Sequence, residues 1–337
     1  MDHAEQNRCW QPQPLESRLH SDVIALWNAC CGPGKLVYRQ LDEAAFKKLF
    51  IEAEPGVHII SKVILADETV VGFASGTFRD VAEQGYITIL LVAENWRRKG
   101  IGQTLLSALE HDMKDAAKGS INRFEVMFFN PVTLSWIVPG TENDDHPNAP
   151  GVDVSCDGYL FLKNQGYRDI VYQNSYYQPL QQYTYPPDIK KKLKELDQQG
   201  IEITLYDPDK HTGLNELFDN LENEPWREIV MANESSGSER VPLIIVASEN
   251  KVYGFTGPIR VEPSGRGYFA GIGVHTDLRG KGAGKALFSV LCMELKHIGA
   301  SFMTLFTGET NPARNIYEAA GFKIVRTWAD MKKEIKV

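Results

Sequence analysis

A chain of 337 residues, 43% hydrophobic and 24% charged, is long enough for two domains of ordinary size, each burying its own core. No apolar run approaches the ~20 residues that span a bilayer, and a net charge of −8 argues against a nucleic-acid binder, whose phosphate contacts demand a basic face. Cys9, Cys30, Cys31, Cys156 and Cys292 are odd in number, scattered and without C-x-x-C spacing, which argues against a structural zinc and for reduced thiols.

Residues 1–18 are polar and proline-bearing, a tail or a short first strand, with neither the basic nor the apolar region of a signal peptide, so a cytoplasmic protein is expected. Ser21 to Cys30 reads as a helix that Cys31-Gly32-Pro33-Gly34 breaks. A second helix starts at Leu41-Asp42-Glu43. Val57 to Leu65 and Val70 to Arg79 read as strands joined by a turn at Asp67-Glu68. Tyr86 to Val92 is a strand, Thr104 to Ala117 a helix, and Arg123 to Phe129 the next strand. Residues 132–158 form an insertion too long for a structureless loop, the length of a lid or binding wall. Within it Asp145-His146 is a minor acid/base candidate, a surface histidine in a polar turn being commoner. A helix from Tyr159 to Asn164 and a strand from Arg168 to Tyr177 close the first half.

Residues 181–200 read as linker and polar helix. The second half then gives a strand (Ile201 to Tyr206), helices (Thr212 to Glu222, Pro225 to Ala232) and a hairpin (Leu243 to Ser248, Val252 to Ile259) turning at Glu249-Asn250. It continues with a central strand (Tyr268 to Val274), a helix (Ala286 to Lys296) and a strand (Ser301 to Phe306).

Both halves carry a glycine turn between strand and helix. Arg97-Arg98-Lys99-Gly100-Ile101-Gly102 in the first matches Arg279-Gly280-Lys281-Gly282-Ala283-Gly284 in the second, with Gly100 and Gly282 standing 182 residues apart. A turn of this kind offers a diphosphate a nest of backbone amides at the positive end of a helix. Each half continues with Asn-Pro, at Asn130-Pro131 and at Asn311-Pro312, and ends on Gly166-Tyr167 or Gly321-Phe322. The offset marks a duplicated domain: residues 1–180 with the 132–158 insertion, then 201–337.

R-x-x-G-x-G after a strand, followed by N-x-x-A-x-x-x-Y-x-x-x-G-F from Asn311 to Phe322, resembles the GCN5-related N-acetyltransferases (GNAT). The resemblance covers both halves, and the two-domain layout is similar to mycothiol synthase and to the self-resistance acetyltransferases of zwittermicin and paenilamicin producers. It implies an α/β architecture of two tandem GNAT domains, each a mixed, mostly antiparallel sheet flanked by helices. It also implies acetyl-CoA as cofactor and a small-molecule amine as acceptor. The expected partners are that substrate alone, with no nucleic acid and no membrane, in a monomer or homodimer.

For the second half, Gly280, Lys281, Gly282, Ala283 and Gly284 would hold the diphosphate, with Arg279 and Lys285 adding positive charge. The resemblance places the pantetheine along Ile272, Gly273 and Val274, puts Asn311 on the cofactor and makes Tyr317 the general acid. Tyr268, Phe269, Ala270, Ile272 and Val274 offer no glutamate, so the base stays open among Glu309, His275, Glu224 and a water chain. For the first half, Arg97, Arg98, Lys99, Gly100, Ile101, Gly102 and Thr104 could bind coenzyme A equally well. Four residues before Gly166, however, stands Leu162 where Gly321 has Tyr317. Two readings follow: a cofactor site without turnover, or an active domain walled by the insertion; the missing tyrosine favours the first. A coenzyme-A-binding sensor is the reading from outside enzymology.

Overall fold

The computed structural model describes residues 10–32, 34–81 and 83–335; Cys9 in the expected tail and Pro33 in the expected helix break lie outside the described residues. In chain order the elements are β1 (Gln13–Pro14), α1 (His20–Cys30), α2 (Glu43–Phe50), β2 (Val57–Ala66), β3 (Thr69–Arg79), β4 (Gln84–Val92), α3 (Ile101–Ala116) and β5 (Arg123–Val126). Three two-residue strands, β6 (Trp136–Ile137), β7 (Asp145–His146) and β8 (Val152–Asp153), punctuate the insertion before α4 (Asp157–Asn164), β9 (Arg168–Pro179), α5 (Pro187–Asp197) and β10 (Ile201–Leu205). Then come α6 (Leu214–Leu221), α7 (Glu224–Glu234), β11 (Ile244–Ser248), β12 (Lys251–Thr256), β13 (Ile272–Val274), α8 (Ala283–His297), β14 (Phe302–Gly308), α9 (Arg314–Ala319) and β15 (Lys323–Glu334).

Two compact units emerge, and the chain threads them unevenly. Met1–Glu142, His146–Asn174 and Arg326–Val337 form the first; Asn143–Asp145 and Ser175–Val325 form the second. The last dozen residues, expected in the second domain, therefore count with the first. Met331 to Glu334 pair antiparallel with Val126 to Arg123, and Trp328, Ala329 and Met331 are fully buried there. Expected boundaries at other elements shift by a few residues. The largest shift is in the central strand of the second unit, where only Ile272–Val274 is regular because its partner β12 stops at Thr256, ahead of Gly257-Pro258.

In the first unit the sheet runs β1-β2-β3-β4-β5 and then the end of β15. The β2–β3 hairpin turns at Asp67 and Glu68, both at positive φ (48° and 69°), the geometry that matches strand twist across a two-residue turn. Asp42 starts α2 by accepting the Ala45 amide at 2.8 Å. Helices cover both faces of the sheet. Val23 and Trp27 of α1 and Phe46 and Phe50 of α2 pack with Phe73 on one face; Leu105, Leu109 and Met113 of α3 pack with Ile64 and Ala74 on the other.

The second unit repeats the plan with an antiparallel β10-β11-β12-β13 sheet. Leu217 and Phe218 of α6 and Val230 of α7 pack with Phe255, while Leu287, Phe288 and Leu291 of α8 pack with Val246 and Met303. No helix among the described residues is long and apolar enough to cross a membrane.

Candidate active site

The two glycine turns are built alike. Each strand ends in a single turn of 3₁₀ helix, Glu94–Trp96 or Thr276–Leu278, before the arginine. Arg97 Nε then donates to the Val92 carbonyl at 3.3 Å, and Arg279 Nε to the Val274 carbonyl at 3.2 Å. Gly100 (φ 84°, ψ −11°) and Gly282 (φ 83°, ψ 5°) are left-handed residues at the helix start, a conformation in which glycine carries no steric penalty. Neither helix has a side-chain cap. The amides of Ile101, Gly102 and Gln103, and those of Ala283, Gly284 and Lys285, precede the first intrahelical bond and so have no acceptor in their helices.

Thr104 lies one step too far along. Its amide and its hydroxyl both bond the Gly100 carbonyl, at 3.0 and 3.1 Å, so it offers nothing to a phosphate. Gly284 is small for packing, since a Cβ there would stand 3.2 Å from Ile316 of α9, whereas one on Gly102 would meet Phe161 of α4 at an ordinary 3.4 Å. The surroundings of the turns differ. Trp10 Nε1 donates to the Lys99 carbonyl at 2.7 Å and meets Trp96 edge-on, while Lys99 lies 4.7 Å over the Trp96 ring. Arg98 holds a positive φ of 63° where the second turn has Gly280. Over the second turn lies Lys192 of α5, whose Cδ is 3.0 Å from where a Cβ on Gly282 would be.

In the second unit the residues ahead of the central strand meet β14 at one isolated bridge. Gly267 N–H donates to the Phe302 carbonyl at 2.8 Å, and Arg266 bridges Phe302 in parallel. His275 N–H donates to the Tyr253 carbonyl at 2.7 Å on the β12 side. Bonding alternates along an antiparallel pair, so Gly273 turns its peptide groups toward Phe255, whereas Ile272 and Val274 turn theirs away from β12. Ile272 and Val274 thus suit the expected pantetheine contacts and Gly273 does not. Gly273 serves packing, since a Cβ there would come 2.4 Å from Leu221.

Asn311 accepts the Ala313 amide at 2.9 Å through Oδ1, just as Asn130 accepts the Val132 amide at 3.0 Å. Asn311 is exposed. Tyr317, 5% exposed, is packed by Phe288, Tyr176 and Phe269 at ring separations of 5.0, 5.8 and 6.0 Å. Burial, then the neighbouring Tyr176, pushes its phenol well above the ordinary tyrosine range. Its hydroxyl makes no hydrogen bond among the described residues. Leu162, its counterpart, is a buried core residue of the first unit. Of the base candidates, His275 accepts the Asp277 amide at 3.2 Å as a cap, and Glu224 pairs with Arg227 at 3.0 Å.

In the first unit the sheet opens between β4 and β5. β4 and β5 pair in parallel only over Gln84–Tyr86 and Arg123–Glu125. Beyond this a shallow depression, open to solvent, is lined by Ile87 and Thr88 on one side and by Val126 and Met127 on the other. Ser75 faces Ile89 and Gly76 faces Ile87, so Thr88 is a bulge residue, re-aimed out of the ladder. Thr88 Oγ1 accepts from Asn130 Nδ2 at 3.0 Å, and Asn130 Oδ1 accepts from Thr77 Oγ1 at 2.8 Å. Leu134, Asn148 and Gly151 make the insertion one wall of this depression. His146 is not placed for acid/base chemistry, because it is buried and its Nδ1 is held by the Asn148 main chain. Sequence reasoning missed Thr88, because a bulge leaves no mark in an alternating strand.

The acetyltransferase (GNAT) family model matches the chain twice, over residues 22–133 and 209–322. The chain belongs to that family. A comparison with curated proteins finds no match. Among solved structures, the GCN5-related glucosamine N-acetyltransferase region of a fungal multi-domain GH3 β-N-acetylglucosaminidase is similar over 96% of this chain at 16% identity, with a TM-score of 0.66; the match spans 38% of that protein. A GCN5-related N-acetyltransferase from Sphaerobacter thermophilus is similar over 97% of this chain and 96% of its own (14% identity, TM-score 0.61). A tandem GNAT protein of the clavulanic acid biosynthesis pathway is similar over 98% and 99% (17% identity, TM-score 0.57). This GNAT chain shares their fold, and its two units are two GNAT domains.

Proposed function

We propose that this GNAT protein transfers the acetyl group of acetyl-CoA to a primary amine of a small, amine-rich molecule, and that the second unit performs the transfer. The residues of the second turn fit a coenzyme A diphosphate. Three uncapped amides open α8, and Lys281 and Lys285 have no ion-pair partner among the described residues. These groups, with Arg279, would hold the phosphates, while Ile272 and Val274 would meet the pantetheine through the main chain. Bound acetyl-CoA supplies the acetyl thioester.

The observation that carries this reading is Tyr317: a phenol at the family's acid position, buried among aromatic rings with its hydroxyl uncommitted. Burial keeps the proton on Oη throughout the neutral range, so Tyr317 is the proton donor of the reaction. The first unit, with an equivalent turn but Leu162 at that position, is read as a cofactor-type site without turnover. The net charge of −8 suits a cationic acceptor such as an amine-rich antibiotic. An amino-sugar amine, of the mycothiol-synthase kind, is the other acceptor class.

The test is a coupled thiol-release assay with acetyl-CoA and a panel of polyamine antibiotics and amino sugars, glucosamine included. Turnover with any of them that disappears in Tyr317→Phe supports the reading. A wild type that binds acetyl-CoA and acetylates no amine favours a coenzyme-A-binding sensor.

A further inference from the structure

We propose that Tyr176 of β9 is a positioning residue for Tyr317, fixing the helix that carries the acid through the neighbouring Glu318. This rests on the reading that Tyr317 donates the proton, and it names a residue that acts through that donor.

α9 cannot place Tyr317 unaided. It spans six residues, Arg314–Ala319, opens without a side-chain cap and is far below the length at which a helix holds its shape alone. Its position is therefore set by what it packs on. Tyr176 supplies contacts to two consecutive residues of that helix. Its ring lies 5.8 Å from the Tyr317 ring, and its hydroxyl donates to Glu318 Oε1 at 3.0 Å. Tyr176 and α9 both belong to the second unit.

The same Glu318 oxygen accepts from Arg314 Nε at 3.2 Å and from Nη2 at 3.1 Å, and Arg314 Nη1 donates to the Glu309 carbonyl at 3.3 Å. Tyr176, Glu318 and Arg314 thus tie β9 to the start and end of α9 and to the loop before Asn311. The Arg314 and Glu318 side chains are each 41% exposed, so their ion pair contributes little by itself. Tyr176 is fully buried, which makes its hydroxyl the fixed point. Burial, then the bond to Glu318, raises the Tyr176 phenol, so at neutral pH it is the donor in that bond. The family match over residues 209–322 does not include Tyr176, and the second unit draws this support from outside the matched segment.

The test compares three variants of the intact protein. Tyr176→Phe keeps the ring, Glu318→Ala breaks the same bond from an exposed position, and Glu318→Gln retains an amide oxygen that accepts the Tyr176 hydroxyl. Without cofactor, amide exchange at Ala320 and Phe322, whose N–H groups bond the Ile316 and Tyr317 carbonyls, should quicken in the first two variants and stay unchanged in the third, with α8 protected throughout. In the thiol-release assay, with the fastest acceptor of the panel above, kcat should fall about 10- to 100-fold in Tyr176→Phe and Glu318→Ala while KM for acetyl-CoA holds. Glu318→Gln should keep most of the rate. Added to Tyr317→Phe, Tyr176→Phe should cost nothing further, because it acts through the hydroxyl already removed. An undiminished kcat in Tyr176→Phe, a second loss of the same size on top of Tyr317→Phe, or unchanged exchange would each overturn the proposal. A Tyr317→Phe enzyme as fast as the wild type, or a wild type that acetylates nothing, would instead bring down the acid assignment and the proposal with it.

Discussion

Arg279 returns its Nε to the carbonyl of Val274, five residues earlier, at 3.2 Å, and so fastens the glycine turn to the strand that precedes it. Arg97 and Val92 make the same bond at 3.3 Å, which gives the two turns one geometry despite their different surroundings. Both bonds are exposed, so each contributes little by itself, and Arg279 acts chiefly through the positive charge it holds beside the phosphates. Arg279→Ala should therefore weaken acetyl-CoA binding roughly tenfold. Arg279→Lys, which keeps the charge but loses the fork, should recover most of it. Calorimetric titration of the two variants checks this; equal affinity in both would leave the charge without a role.

Tyr317→Phe removes one hydroxyl from an aromatic cluster and leaves the ring packing intact. Turnover should fall by about 10²–10⁴-fold with acetyl-CoA affinity nearly unchanged. Because burial raises the phenol, the wild-type rate should show no loss from Tyr317 ionisation at or below the ordinary tyrosine value of ~10. Steady-state rates against pH, beside the binding constant of the variant, separate loss of an acid from loss of a binding group.

Truncation after Val325 should damage the first unit, although the deleted residues follow the second in sequence. Trp328, Ala329 and Met331 are fully buried in the first unit, and Trp328 meets Trp136 at 5.2 Å. Loss of three buried side chains and of the β5 pairing exceeds the stability margin of an ordinary domain. Hydrogen exchange should report lost protection in β4 and β5 and retained protection in β11, β12 and α8. The reverse pattern would contradict the division into these two units.

Asp330 makes stability depend on pH in a known direction. Its folded pKa of about 6 lies above the ordinary aspartate value, so its contribution is intact at acidic pH and is lost as pH rises from about 4 through about 6. Asp330→Asn should match the wild type near pH 4 and exceed it above pH 7 by about 2–3 kcal/mol, an upper bound from the size of the shift. Denaturant melts at the two pH values measure the difference, and an asparagine variant less stable at both would count against a carboxyl raised by burial.

Much of the site was legible in the chain because its parts are local. The R-x-x-G-x-G turns fix their own conformation through two glycines, one arginine and a following helix, and their 182-residue spacing revealed the duplication. The turns at Asp67-Glu68 and Glu249-Asn250, and the absence of a tyrosine at Leu162, were equally readable. What depended on distant partners was not. Nothing in KIVRTWADMKKE, the sequence of β15, says that its second half pairs with β5 some two hundred residues earlier. Gly273 reads as part of a ligand-lining strand, yet its missing side chain makes room for Leu221. The unpaired Oδ1 of Asp330 lies where Gly151 brings the insertion against β15, a juxtaposition of distant segments.

Whether the second unit is the seat of acetyl transfer is decided most directly by calorimetric titration of acetyl-CoA, with turnover measured alongside, on the intact protein and on Gly282→Glu and Gly100→Glu, each checked by thermal melting for an intact fold. A glutamate at either left-handed position puts a negative charge against the amides of its own turn. Gly282→Glu should abolish both turnover and the binding step that supports it, while Gly100→Glu should leave turnover in place. Turnover that survives Gly282→Glu and vanishes with Gly100→Glu would contradict the assignment and move the reaction to the first unit.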